Sequence, residues 1–551
     1  MPITIDSNKT SLSYAEEASL STLPANPTWH PLEPNSYSSF GGDLKTTTRE
    51  PITATRQRAK GTVTDLDVTA AFNTDVTQDN LTRLLQGFFF AKAHEKFKTQ
   101  PINGTAIALT GAVAASQEIT AAAGLGAVAI DTLIKPSGFA NAANNGLFRV
   151  TAAAAGELTL ASYVSGGAAV PLVDEAAPPA AALLEAVGVA LHGDVLLYGP
   201  GSNGGATIQP YLSSAANVDF TTLGLLPGEW VYLGDADDTL GDAAATEYNF
   251  LSADGTKRNR GYCRILSIAP TKLTFDIAIG AQTWVQGSGA NGSCPVPASG
   301  FVSLYFGTVI RNEPVAANIV RTTYTLQRFL GQNADNQSQL EYVSGAVPNE
   351  FSLTIPSNNK LTSDLTFVGM DTQQEAIAQL PGTYLGLFSE PAFNTSQDVF
   401  ALLLYIIDAA QTQQQPLFAY ATDQKITINN NTKPNKAIGV VGAIEASVGN
   451  FDVSGTLTCY FDDIAAIQAV RNNTDVGLTN IFAKQNSGMI IDLPLLTLAM
   501  PGVKVEKDKP IMADITQTAA PRPDATNLLY YTALYNQFTY LPASAMADYA
   551  G

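Results

Sequence analysis

Residues 321–371 read RTTYTLQRFLGQNADNQSQLEYVSGAVPNEFSLTIPSNNKLTSDLTFVGMD, and this stretch decides the fold. Tyr324, Leu326 and Phe329 are the apolar positions of a long first strand set among Thr, Gln and Arg. A polar turn follows, then a hairpin. Phe351, Leu353 and Ile355 alternate with Ser352 and Thr354, a period of two that sends one set of side chains to each face. Pro356-Ser357-Asn358-Asn359 supplies the turn. Leu361, Leu365 and Phe367, interleaved with Thr362, Asp364 and Thr366, make the return strand.

Working outward, the same alternation recurs. Val63, Leu66, Val68, Ala70 and Phe72 predict strands, and Leu81, Leu84, Leu85, Phe88 and Phe89 form one apolar stripe of a short helix. Asp75 and Thr77 are its expected caps. Near the C-terminus, Gly442 to Tyr460 is expected to be a hairpin turning at Gly449-Asn450. Asp462-Asp463 would then cap a helix bearing Ile464, Ile467 and Val470. Asp67-Val68-Thr69 and Asp452-Val453-Ser454 stand at matching places in the two units, which implies an internal duplication. A helix is expected over Ser396 to Ala410, and strands over Leu417–Ile428, Lys436–Ile444 and residues 477–516.

Between these units lies a second related pair. Asn144-Asn145-Gly146-Leu147-Phe148-Arg149-Val150 precedes Leu158-Thr159-Leu160, and Asn259-Arg260-Gly261-Tyr262-Cys263-Arg264-Ile265 precedes Leu273-Thr274-Phe275. Each reads as a turn, a strand, a loop and a strand. The expected division is a 1–50 extended arm, a tube domain in two parts (51–100 and 300–520), β modules at 101–198 and 199–299, and a tyrosine-rich tail at 521–551. Trp29 and Pro31 in the arm would dock on a neighbouring subunit.

Composition narrows the function. Only 14% of residues are charged, against roughly 25% in ordinary soluble domains. An uncharged polar surface suits burial between subunits. The formal net charge of −19 argues against a nucleic-acid binder, which should be basic. Cys263, Cys294 and Cys459 lack metal-ligand spacing, and three histidines leave little material for a catalytic site. Neither a secretory signal nor a run long enough to cross a membrane is visible.

Gly199-Pro-Gly-Ser-Asn-Gly204 has dinucleotide-site spacing but precedes a β-like stretch, not the helix that such a site needs. Counting from Asp235, a calcium loop would need Gly at position 6 and Glu at position 12, where Leu240 and Thr246 stand. Asp174-Glu175 and Asp462-Asp463 read as capping or solvated pairs, since neighbours on a strand point to opposite faces. No cofactor, metal or catalytic residue is expected.

The aromatic-Thr-Leu strand, the polar insert and the phrase around Asn349-Glu-Phe-Ser-Leu-Thr-Ile-Pro356, closed by Leu365-Thr-Phe-Val-Gly369, resemble the tail tube proteins of long-tailed, siphovirus-like bacteriophages. The resemblance covers roughly 45–97, 300–371 and 436–516. It implies a mainly β fold with a few short α-helices: a tail-tube β-sandwich or barrel with a flanking helix, plus two inserted small β modules. It implies a non-enzymatic subunit whose six copies form a ring, with rings stacking into a hollow tube that double-stranded DNA traverses unbound. Further partners would be the tape measure, distal tail or baseplate, and tail terminator proteins, in a virion tail assembled in the host cytoplasm. Six chains carry −19 × 6 = −114 formally, and such a lumen would not grip a polyanion. Asp65, Asp67, Asp364 and Asp452 are the expected lumen carboxylates. Trp29, Pro31, Phe351, Leu353 and Phe367 are the expected subunit and ring contacts. The competing reading is a virion or cell-surface adhesin binding a glycan through its tandem modules; Trp230, Tyr232 and Trp284 would serve it if exposed, although such residues more often lie in a core.

Overall fold

The computed structural model describes residues 5–547 apart from 6–8, 51, 53–59, 164–169, 200–208, 235–248, 254–257, 280–283, 285, 297–299, 376–377, 388–389, 408–416, 418–419, 462–463, 485, 500–502, 506 and 523–530. It is mainly β with three short α-helices among the described residues. The opening stretch folds as its alternation requires. Tyr324–Gln332 pairs with Ser338–Pro356, which pairs with Thr362–Gly369 across the Pro356 turn.

The internal duplication extends well beyond three residues. One set of strands is Ser11–Glu16, Pro34–Thr47, Thr62–Asp75, Tyr324–Gln332, Ser338–Pro356, Thr362–Gly369 and Asp371–Glu375. The other is Val399–Ile406, Ala421–Asn429, Asp452–Tyr460, Val476–Lys484, Ser487–Ala499, Met512–Ala520 and Leu534–Phe538. In both sets the first strand pairs with the fourth, the second with the third, and the third with the sixth. The fifth pairs with the fourth, sixth and seventh. A helix follows the third strand each time, at Thr82–Phe89 and Ala465–Arg471. The two copies join edge to edge, the fifth strand of the first pairing with the second strand of the second from Glu350↔Asn429 to Pro356↔Asp423.

Alternation then sorts the side chains. Phe72, Leu365, Phe351, Ile428 and Val453 are register partners on successive strands, and all are buried in one apolar core. Leu84, Leu85, Phe88 and Phe89 of the first helix fill that core. Phe88 lies 5.9 Å from Phe351 and 5.2 Å from Phe367, ring centre to ring centre.

The region between the first helix and Tyr324–Gln332 carries its own duplication. Leu109–Val113, Glu118–Ala121, Thr132–Ser137, Phe148–Ala154, Glu157–Ser162 and Leu183–Leu191 repeat as Leu196–Tyr198, Tyr211–Ser213, Trp230–Leu233, Gly261–Ala269, Lys272–Ile279 and Val302–Tyr305. In each six, strand two pairs with one and five, strand four with five and three, and strand three with six. The two sixth strands pair with each other, Gly188↔Tyr305 to Leu191↔Val302, so both modules lie in one 13-stranded sheet. The second module thus begins three residues before the expected boundary at 199, and Val302–Tyr305 belongs to its sheet although the sequence reading placed it with the tube part.

Several local expectations are corrected. Val399–Ile406 is a strand, not the core of a helix. Its continuous apolar run serves two cores, with Leu404 in one and Phe400, Ala401 and Tyr405 in the other, which is the pattern of a strand covered on both faces. Glu445–Ser447 pairs with Lys433–Asn435 and not with Asp452–Tyr460, so the expected Lys436–Ile444 strand is the loop of a small ribbon. Asp75 ends a strand instead of capping the first helix; the Asn80 side chain accepts from the Thr77 N–H at 3.2 Å and donates to the Asp75 carbonyl at 2.6 Å. That helix begins with no side-chain cap. Asp462 and Asp463 lie outside the described residues.

The segment expected to be an extended arm is folded into its own chain from Ser11 to Thr47. Trp29 is buried, stacks on Tyr384 at 5.5 Å and donates to the Pro381 carbonyl at 3.4 Å; Pro31 is buried opposite Ser13. Nearby, His30 stacks on Tyr14 at 5.3 Å, and burial lowers its pKa to about 3. In the unfolded chain it takes a proton near pH 6.5. Its contribution therefore falls as the pH drops below 6.5 towards 3, by at most ~1.4 kcal/mol per pH unit. A His30→Gln variant should show a shallower loss of thermal stability between pH 6.5 and 4.

Candidate functional site: the polar face of the tube sheet

Opposite the core, the joined sheet presents polar rows. One runs Ser36, Asn73, Asp364, Ser352, Thr427, Ser454, Thr518, Thr497, each facing the next across eight strands of both copies. A second runs Ser39, Ala71, Thr366, Glu350, Asn429, Asp452, and a third Asp75, Thr362, Thr354, Lys425, Thr456, Thr516, Ala499. Strand parity alone produces this face, since each row is one step of the period that buries its neighbours. Ser352 and Thr427 hydroxyls lie 2.8 Å apart across the seam between copies.

The four expected carboxylates all fall on this face, but in two chemical settings. Asp65 and Asp67 are clamped by lysines. Lys436 Nζ reaches Asp65 at 2.5 Å and also bonds Asp67, which Lys45 bonds as well; Lys45 is 3.9 Å from Asp65. Hydrogen bonds from Lys436 hold both carboxyls below the usual range, Lys45 adding to the effect at Asp67. Two carboxylates and two ammonium groups cancel locally, so this corner carries little field. Asp364 instead accepts from the Asn73 amide at 2.7 Å, and Asp452 from the Asn431 amide at 2.7 Å. Amides orient these carboxylates without neutralising them.

Lys45 and Lys436 were missed in the sequence. They lie in the strand read as an arm and in the loop read as a strand, and only the pairing register brings them to Asp65 and Asp67. Phe351, Leu353 and Phe367 are buried in the chain's own core at 4%, 1% and 0% exposure, so their side chains are not free to contact a neighbour. Trp230, Tyr232 and Trp284 are buried, as aromatics of a core are, and are not exposed for a glycan. Glu175 accepts from the backbone of Ala140 and Asn141, and Asp174 from that of Ala114, so this pair clamps loops. Residues 200–208 and 235–248, which hold most of the glycine-rich stretch and the whole acidic loop, lie outside the described residues.

A second charged cluster fastens the insert to the tube fold. Arg264 is fully buried; it donates to Asp276 at 3.0 and 2.6 Å, to Asp492 at 3.1 and 3.2 Å, and to the Tyr405 hydroxyl at 3.2 Å. Tyr531 donates to Asp492 at 2.8 Å, Thr479 to Asp492 at 2.7 Å, and Arg522 to Asp276 at 3.1 Å. Burial works against the Arg264 charge, but Asp276, Tyr405 and Asp492 outweigh it and hold the guanidinium firmly protonated. Around it Tyr232, Tyr262 and Tyr305 of the insert pack with Phe400, Tyr405 and Phe538 of the tube fold.

Among the described residues there is no cluster of three or more His, Cys, Asp or Glu able to hold a metal, and no helix is long and apolar enough to cross a membrane. None of the three cysteines is in a disulfide, and all are buried in the fold.

Among the described residues the doubled sheet thus has one apolar face, one polar face and unpaired outer edges. The chain belongs to the phage tail tube protein family, whose model matches residues 7–519. It is therefore a structural, non-enzymatic component of a bacteriophage tail. No curated protein matches the chain.

Proposed function

We propose that this chain builds the wall of a siphovirus-type tail tube, in stacked rings of six tube folds around a channel that genomic DNA crosses on its way into the host. The observation that carries this is the continuous sheet of the two joined copies, buried on one face and Ser/Thr/Asn/Asp-rich on the other. A wall of hydroxyls and scattered carboxylates, with Lys45 and Lys436 engaged by Asp65 and Asp67 and Lys425 exposed in the third row, offers DNA few ammonium groups to set against its phosphates. Passage then proceeds with few of the counterion-releasing contacts that hold DNA to basic proteins. The net charge of −19 acts in the same direction. Rings would assemble in the host cytoplasm and stack on the tape measure protein, between distal tail or baseplate and terminator proteins.

Asp364 and Asp452 are the carboxylates to test. Asp364→Lys with Asp452→Lys should leave tubes intact and slow genome ejection, more strongly at low salt than at high. Unchanged ejection from such tubes would place these residues away from the channel. The same substitutions at Asp65 and Asp67 should also weaken the Lys45–Lys436 corner, so they are the poorer probe.

A further inference from the structure

We propose that each ring is closed by three chains, because one chain already supplies two of its six tube folds, and that chains join by repeating the seam found inside the chain. The proposal rests on the tube reading for the number six. The rest comes from the duplication.

Inside the chain, residues 350–356 of the first copy pair with Ala421–Asn429 of the second. The same two edges recur without partners. Among the described residues nothing pairs with the outer edge of Pro34–Thr47, the equivalent of Ala421–Asn429. The equivalents of Glu350 and Leu353 are Ala499 and Val503, and among the described residues each pairs only with Met512–Ala520. Equivalent residues follow from register. Thr366 faces Glu350 as Thr516 faces Ala499, and Ser363 faces Leu353 as Ala513 faces Val503. On the other side, Asn429 faces Asp452 as Asp43 faces Asp67, and Ile426 faces Gly455 as Phe40 faces Ala70. The internal pairs Glu350↔Asn429 and Leu353↔Ile426 therefore translate to Ala499 of one chain facing Asp43 of the next, and Val503 facing Phe40.

Burial marks the same edges. Ile355, on the core face of the internal seam, is 4% exposed because Ala421–Asn429 covers it. Val505 occupies the matching place at the open edge and is 74% exposed; Leu44, on the core face of Pro34–Thr47, is 57% exposed. Apolar side chains left bare along an unpaired strand edge are a template for another strand. Only a further copy of this chain carries both complementary edges. Two folds per chain make any ring closed this way even in tube folds, and six folds need three chains. The formal charge of the ring is then −19 × 3 = −57.

The test uses the full chain carrying Asp43→Cys and Ala499→Cys, both at exposed edge positions, alongside the unmodified protein. Native mass spectrometry and electron microscopy of rings should give three chains of 57.9 kDa each and threefold symmetry with a pseudo-sixfold wall. Mild oxidation should give a covalent ladder that stops at three chains. A ladder or ring of six chains would overturn the stoichiometry while leaving the tube reading intact. Rings whose paired cysteines do not cross-link would overturn the seam. A chain that forms no ring would remove the tube reading and this proposal with it.

Discussion

Arg264→Ala should cost the protein about 3–5 kcal/mol, the scale for breaking a buried ion pair by removing one partner. Asp492, fully buried, would lose its guanidinium partner and keep the Tyr531 and Thr479 hydroxyls. The loss comes from the uncompensated carboxylate more than from the pair's own attraction. Arg264→Lys should recover part of the loss, since it restores the charge without the fork that serves Asp276 and Asp492 together. Replacing the set at once, Arg264→Met with Asp276→Leu and Asp492→Leu, should be less damaging than Arg264→Ala alone. Thermal and denaturant unfolding of the purified chain would measure all three. A loss under ~1 kcal/mol for Arg264→Ala would mean that the cluster does not fasten the insert to the tube fold.

Phe88→Ala should cost a similar ~3–5 kcal/mol by emptying the centre of the tube core. Phe88 is fully buried between Phe351 and Phe367, which come from the two strands of the opening hairpin. Helix and sheet are packed together at this point, so the variant should also lose assembly at temperatures where the wild-type chain still assembles. Phe88→Leu, which keeps most of the volume, should cost much less. Urea unfolding curves for both variants would check the ratio.

How much of this was legible in the sequence follows from what each signal requires. The hairpin at 351–367 was legible because both strands alternate cleanly and a proline-asparagine turn separates them. The apolar stripe of the first helix was legible for the same reason, with its start displaced because Asn80, not Asp75 or Thr77, organises the preceding turn. Val399–Ile406 was misread because an apolar run of eight has no period when both faces are covered. The duplications were visible only as short echoes, Asp67-Val68-Thr69 with Asp452-Val453-Ser454 and the two Asn-x-Gly turns. Topology can persist where side chains have diverged, since a strand asks only for alternation.

The polar face was half legible. Parity placed Asp65, Asp67, Asp364 and Asp452 on strands, and the structure brings them to one face. Their difference in charge state was not legible, because Lys436 and Lys45 come from other strands and loops. The contact residues were misjudged for a related reason. Phe351, Leu353 and Phe367 looked like sticky strand positions, whereas the core of the same chain consumes them. What remains for a neighbour is backbone edge and a few bare apolar side chains, and edges leave no mark in a sequence until the pairing order is known.

The claim underneath is that the two edges left open among the described residues, that of Pro34–Thr47 and that marked by Ala499 and Val503–Lys504, are completed by further copies of this chain. Electron cryomicroscopy of the purified full-length chain tests it most directly. The account predicts hollow rings or tubes with a continuous β wall and the Asp364–Ser352–Thr427–Ser454 row on the inner surface. Monomers at high protein concentration, or tubes with that row facing outward, would contradict it.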